Sequence, residues 1–112
     1  MNLKDKIEGL GTAETAEQLN AIHADLLKQL DETQLEDPQT RSDAEAALNH
    51  ITNYNLVRIA NTAYETFLAS GSKDPEPTNR VIRLCYRSLK DHEDVETERG
   101  LLDGLSDQLR TN

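Results

Sequence analysis

The strongest chemical feature of the sequence is a group of four cationic side chains on one predicted helix. At 100° per residue they fall within roughly 80° of one another, and no acidic residue interrupts residues 77–90. Such a cluster can bind phosphates or an acidic partner, or it can form salt bridges with the acidic helices on either side. Both interpretations stay open here, and the four residues are a candidate partner-binding surface. They are Arg80, Arg83, Arg87 and Lys90.

The segment from Arg87 to His92 reads RSLKDH and contains the pattern Arg-x4-His. This six-residue pattern resembles the short signature of HEPN-type helical ribonucleases. The resemblance implies that Arg87 would stabilise a phosphate and that His92 would act as general acid or base, in a cleft between two protomers. A ribonuclease that uses these two residues is therefore the alternative hypothesis for function.

The other candidate residues do not form a catalytic or metal-binding set in the sequence. His23 lies in the apolar arc of its helix, as is typical of a hydrogen-bonded core or interface histidine. His50 lies on the polar side of the central helix, and Cys85 on an apolar face, where a small core residue is expected. Glu-x-x-His and zinc spacings are absent from the sequence. We therefore expect no metal site and no cofactor.

The longest helical pattern covers residues 42–70. Ser42 and Glu45 form a capping box, and Gly71 can adopt the left-handed conformation that closes a helix. The apolar face moves to nearly the opposite side of the helix at residues 53–55. Either the helix breaks there, or its two halves pack against different neighbours. The asparagines at this switch favour a kink or buried hydrogen bonds, with a recognition patch as the alternative.

If this helix is continuous, one of its apolar halves needs cover from another element. The C-terminal half is larger and is predicted to join the protomer's own core. The N-terminal half has small residues that let two helices approach closely, and we expect it to form a twofold dimer interface. The residues predicted for self-association are Ala44, Ala47, Leu48 and Ile51.

The remaining segments also show helical patterns, which predicts one all-α domain over residues 1–112. We expect a small bundle of three to four helices with a long central helix. Residues 1–11 are expected to be a short amphipathic segment of one or two helical turns that ends at Gly9-Leu10-Gly11, and whether it is well ordered stays open. The other predicted bounds are Thr12 or Thr15 to Asp37, Asp74 to about Asp91, and Asp94 or Thr97 to about Leu109.

Composition narrows the class of partner. The 112 residues carry a formal net charge of −9, which disfavours nucleic acid and anionic membranes and favours a basic protein. Leu, Ile, Val and Phe are few, so the core is thin and oligomerisation would add burial. A single cysteine and an N-terminus without the apolar run of a signal peptide fit the cytoplasm.

These observations favour a non-enzymatic interaction protein, such as an adaptor, a chaperone-like module or an inhibitor. A phage-type antagonist of a nucleic-acid-binding or defence protein is one member of this class. The protein is expected to act by protein–protein contact with a basic partner and to form a homodimer, with no membrane association.

Overall fold

The computed structural model describes residues 3–33 and 37–111, and every regular element within them is helical. The described residues leave out 1, 2, 34–36 and 112. The sequence predictions for the N-terminal segment and for the end of the next helix fall partly on these residues. The prediction of an all-α fold with a long central helix is confirmed. None of the described helices is long and apolar enough to cross a membrane. The helices are α1 (Leu3–Thr12), α2 (Ala16–Glu32), α3 (Pro38–Ser70), α4 (Glu76–Ser88) and α5 (Val95–Thr111).

The predicted count of three to four helices was too low, since the described residues form five. The difference is α1, which was expected to be a turn or two and is a ten-residue helix. A helix of this length is marginal in isolation. Here α1 packs against α2 and α3 and buries Leu10 completely. These tertiary contacts stabilise the helix, which therefore continues past Gly9 and Gly11 to Thr12.

Helix α3 begins four residues earlier than predicted. Asp37 is its N-cap, because the side-chain Oδ1 accepts a hydrogen bond from the backbone N–H of Gln39 at 3.0 Å. Pro38 occupies the first turn, where its missing N–H costs no intrahelical bond. The pair Asp37-Pro38 was interpreted only as the end of the preceding helix, and Ser42 lies inside α3. At the other end Gly71, with φ of 68°, closes the helix as predicted.

Helix α3 is continuous over 33 residues and passes through residues 53–55 without a break. Its N-terminal half lines a groove with α1 and α2, and its C-terminal half lines a smaller one with α4. The switch of the apolar face therefore marks a change of packing neighbours along one helix. The first of the two interpretations, a break in the helix, is therefore wrong.

The core of the described residues contains buried polar groups as well as apolar side chains. Asn53 is 0% exposed, and its side-chain amide donates to the carbonyl of Lys90 at 2.8 Å and to Oε1 of Glu98 at 3.2 Å. Its Oδ1 accepts from the backbone N–H of Lys90 at 2.7 Å. Asn49 donates to the carbonyl of Asp91 at 3.0 Å. Two asparagines of α3 thus hold the α4–α5 connection, residues 89–94, against the central helix.

A second set of polar contacts joins α2 to α3 and α4. His23 is buried as predicted, and its Nδ1 lies 2.9 Å from Oγ1 of Thr52. Asn20 donates to Oγ of Ser88 at 2.9 Å and accepts from Nζ of Lys90 at 3.1 Å. Burial of the ring, and secondarily the positive charge of Lys90, lowers the pKa of His23 to about 4. The imidazole is therefore neutral in the folded protein at neutral pH.

Substitution of Asn53 by Ala should destabilise the fold strongly. The change leaves the Lys90 backbone and one oxygen of Glu98 without their present partners inside the protein, which costs about 2–4 kcal/mol. Urea unfolding followed by circular dichroism measures this cost. Asn61→Ala, at an exposed position of the same helix, is the matched control and should change stability by less than about 0.5 kcal/mol. Equal effects of the two substitutions would contradict the assigned role of Asn53.

The free energy of unfolding should decrease as the pH is lowered from 7 to 5.5, because His23 is buried in its neutral form. The unfolded chain takes up a proton on this ring near its ordinary pKa of 6.5, whereas the folded protein does so only near 4. The unfolded state thus binds more protons in this range, and the free energy of unfolding drops by about 1 kcal/mol. Urea titrations at both pH values should show this drop in the wild type and a smaller one in His23→Gln. An equal drop in both proteins would show that other groups cause it.

Candidate functional site

An open apolar groove lies between α1, α2 and the N-terminal half of α3. Its volume is about 670 Å³. The α3 wall from Thr40 to Ile51 is about 17 Å long, or three turns of helix. The apolar lining residues are Ile7, Leu10, Leu26, Leu30, Ala44, Ala47, Leu48 and Ile51, and the polar ones are Gln29, Glu32, Thr33 and Thr40.

The groove is open because small side chains occupy one of its walls. Ala44 and Ala47 leave space on α3 that larger residues would fill. Ile7 on α1 and Ile51 on α3 remain 43% and 37% exposed. The described chain therefore leaves apolar side chains from two helices open to solvent on one concave surface. Clustered exposure of this kind is typical of a binding surface.

All four residues predicted for self-association line this groove. Leu48 is buried, Ala44 is half-buried, and Ala47 and Ile51 are exposed. The structure thus places them together on a concave surface that they share with α1 and α2. Self-association through these residues stays a prediction.

Acidic side chains predominate on the helices around the groove. Residues 5–33 and 37–51 contain ten acidic and three basic side chains. Two of the three cations are paired internally: Lys6 Nζ lies 3.0 Å from Asp25 Oδ2, and Arg41 pairs with Asp31. Glu32 lines the groove itself. The electrostatic potential around the apolar lining is therefore negative.

Three of the four residues of the predicted basic surface lie on α4, and the fourth follows the end of that helix. Arg83 pairs with Asp103 of α5 at 3.3 Å and lies over the ring of Tyr86. Lys90 lies beyond the end of α4, where burial lowers the pKa of its amine. Within the described residues, Arg80 and Arg87 are exposed and form no ion pair. Internal pairing therefore accounts for Arg83, and a binding role of the surface stays a prediction with Arg80 and Arg87 as its exposed members.

The two residues of the ribonuclease alternative lie on different segments. Arg87 is in the last turn of α4, whereas His92 follows in the α4–α5 connection. The ring of His92 stacks on that of His50 with centroids 4.7 Å apart, and its Nδ1 accepts a hydrogen bond from the backbone N–H of Asp94 at 3.1 Å. The ribonuclease alternative stays a prediction.

The stacked rings belong to a cluster that sequence analysis missed. One potential ligand atom from each of His50, His92 and Asp94 lies within 4.8 Å of the other two. His50 is distant in the chain from the other two residues, so no spacing motif connects all three. The short pattern His92-x-Asp94 was the one local feature of the sequence that could have indicated this cluster.

Cys85 is a core residue in the structure, as predicted. Its side chain is 0% exposed. Burial, and secondarily the negative charge of Glu17, raises the pKa of the thiol to about 11. The thiol is therefore protonated at neutral pH, and in this form it is a poor nucleophile.

The chain was compared with protein-family models, with curated proteins and with solved structures, and no match was found in any of the three. The proposed function therefore depends on the groove, its charge and its surroundings.

Proposed function

We propose that this protein is a non-enzymatic interaction module whose apolar groove binds an amphipathic helical segment of a partner protein, with basic residues flanking the apolar face of that segment. The observation that carries this proposal is the open apolar groove between α1, α2 and α3. Binding of a partner helix in such a groove is a common mode of peptide recognition.

The shape of the groove suits a helix. Its α3 wall spans about three helical turns, so residues at i, i+3, i+4 and i+7 of a bound segment can all face it. Ala44 and Ala47 allow close approach of a backbone to α3, while Leu26 and Leu30 of α2 contribute larger apolar side chains. Binding would cover Ile7 and Ile51, which are exposed in the described chain.

The charge around the groove selects a basic segment. Residues 5–33 and 37–51 carry ten acidic and three basic side chains, and ion pairs occupy two of those three cations. A second copy of this chain, at a net charge of −9, would bring further negative charge to the surface. A basic segment instead gains complementary contacts, and its association should be faster at low ionic strength.

In this proposal the protein acts as an inhibitor or adaptor of a basic partner. A basic segment on a nucleic-acid-binding protein normally contacts phosphates. An acidic helical protein that occupies this segment would compete directly with the nucleic acid. This role includes a phage-type antagonist of a defence protein as one case.

Binding of designed helical peptides tests the proposal directly. A peptide of about 15 residues, roughly 22 Å of helix, carries leucine on one face and lysine elsewhere, and a matched peptide carries glutamate in place of lysine. Fluorescence anisotropy should show at least about tenfold tighter binding of the lysine peptide, a difference of about 1.4 kcal/mol. This preference should decrease as salt is added.

Two neighbouring alanines supply the matched variants. Ala47→Trp fills the groove and should weaken binding of the lysine peptide at least about tenfold. Ala46→Trp places the same side chain at an exposed position outside the groove lining and should leave binding unchanged. Equal binding of the two peptides, or equal effects of the two substitutions, would contradict the proposal.

Light scattering tests whether a second copy of this chain, rather than a basic segment of a partner, occupies the groove. The proposal expects a monomer in the absence of peptide. A wild-type dimer that Leu48→Glu with Ile51→Glu converts to a monomer would show that a second copy occupies the groove. That outcome would contradict the basic-segment proposal and support the predicted self-association.

A further inference from the structure

We infer that His50, His92 and Asp94 form a binding site for a divalent transition-metal ion of the Zn²⁺ type. His50 lies on α3, and the other two residues lie on the α4–α5 connection. One ligand atom of each residue lies within 4.8 Å of the other two. This inference is independent of the proposed partner groove.

The donor set matches the chemistry of zinc. Imidazole nitrogen and carboxylate oxygen are both zinc ligands, and sites with three protein ligands leave one position for water. Tetrahedral zinc with ligand distances near 2 Å places its ligands about 3.3 Å apart. The separation in the structure therefore has to close by about 1.5 Å at most. Rotation of exposed or half-buried side chains can achieve this, and none of the three is buried.

The backbone holds the three residues together without help from a metal. Asn49, adjacent to His50, donates to the carbonyl of Asp91, and Asn53 bonds to both backbone groups of Lys90. These contacts hold Lys90 and Asp91, the two residues before His92, against α3 at positions on either side of His50. Much of the entropic cost of assembling a site from two distant segments is therefore met by folding.

Within the described chain, metal binding would break no hydrogen bond of the His50 ring and one hydrogen bond of the His92 ring. No hydrogen bond to the ring of His50 is found among the described residues, so its nitrogens are accessible to an ion. In His92 the lone pair of Nδ1 accepts a bond from the backbone N–H of Asp94 at 3.1 Å. A neutral imidazole has one such lone pair. An ion bound to His92 would use this lone pair, and the backbone N–H of Asp94 would then lose its hydrogen-bond acceptor.

The local charge also favours a cation. The α4–α5 connection contains three acidic residues within four positions, and one of them is the proposed ligand Asp94. The other two are exposed and add negative potential near the site without belonging to the ligand set. They are Asp91 and Glu93.

Calorimetric titration of the untagged protein with zinc chloride tests the inference. We expect one ion per chain, with a dissociation constant on the order of 10 µM or below. His50→Gln and His92→Gln should each weaken binding at least about tenfold. Glu93→Gln, which removes an exposed acid of the same connection outside the ligand set, is the matched control and should bind zinc within about twofold of the wild type.

A second measurement reports the site without relying on affinity. Zinc should shift the amide resonance of Asp94 in a ¹H–¹⁵N spectrum of the wild type, because the His92 acceptor is lost. It should also raise the melting temperature of the wild type and leave that of the double variant His50→Gln/His92→Gln unchanged. Circular dichroism confirms that the double variant is folded.

Two results would overturn the inference. One is the absence of saturable zinc binding by the wild type below about 1 mM. The other is zinc binding by the folded double variant that equals binding by the wild type, since this would place the ion elsewhere on the acidic surface.

Discussion

The rest of the structure depends on the buried side-chain amide of Asn53. It bonds to both the N–H and the carbonyl of Lys90, in the α4–α5 connection. Without these bonds the two backbone groups would lie unpaired against the core. The bond of Asn53 to Glu98 ties the same residue to the first turn of α5. One side chain of α3 thereby holds both the segment just after α4 and the first turn of α5 against the central helix. The cluster of His50, His92 and Asp94 lies beside the same contacts.

Polar contacts of this kind compensate for a thin apolar core. The pair His23–Thr52 joins α2 to α3, and the contacts of Asn20 with Ser88 and Lys90 join α2 to the end of α4. No buried side-chain polar atom among the described residues lacks a hydrogen-bond partner. A fully satisfied network specifies one arrangement of helices, because any shift in register would leave buried groups unpaired.

The groove arises from the same shortage of large apolar residues. The core takes Leu48 and Leu56 of α3, while Ala44 and Ala47 face a space that the described chain does not fill. Acidic residues dominate the helices around this space, whereas the exposed cations Arg80 and Arg87 lie on α4. The molecule thus has an acidic apolar groove and, on a separate helix, two exposed cations.

The sequence by itself determined the features that depend on local periodicity and local hydrogen bonds. The all-α class, the left-handed end of α3 at Gly71, the buried positions of His23 and Cys85, and the grouping of the four groove residues of α3 all follow from 3.6-residue spacing or a helix-end rule. Residues 42–70 include no Gly or Pro, and this local signal agrees with the continuous α3 of the structure.

Tertiary structure decided everything that depends on contacts between distant segments. It extended α1 by burying Leu10 against α2 and α3. It placed Lys90 beyond α4, because its backbone groups bond to Asn53, and it brought His50 to His92. Local spacing carries no information about such pairs, since their distance is fixed by how whole helices pack.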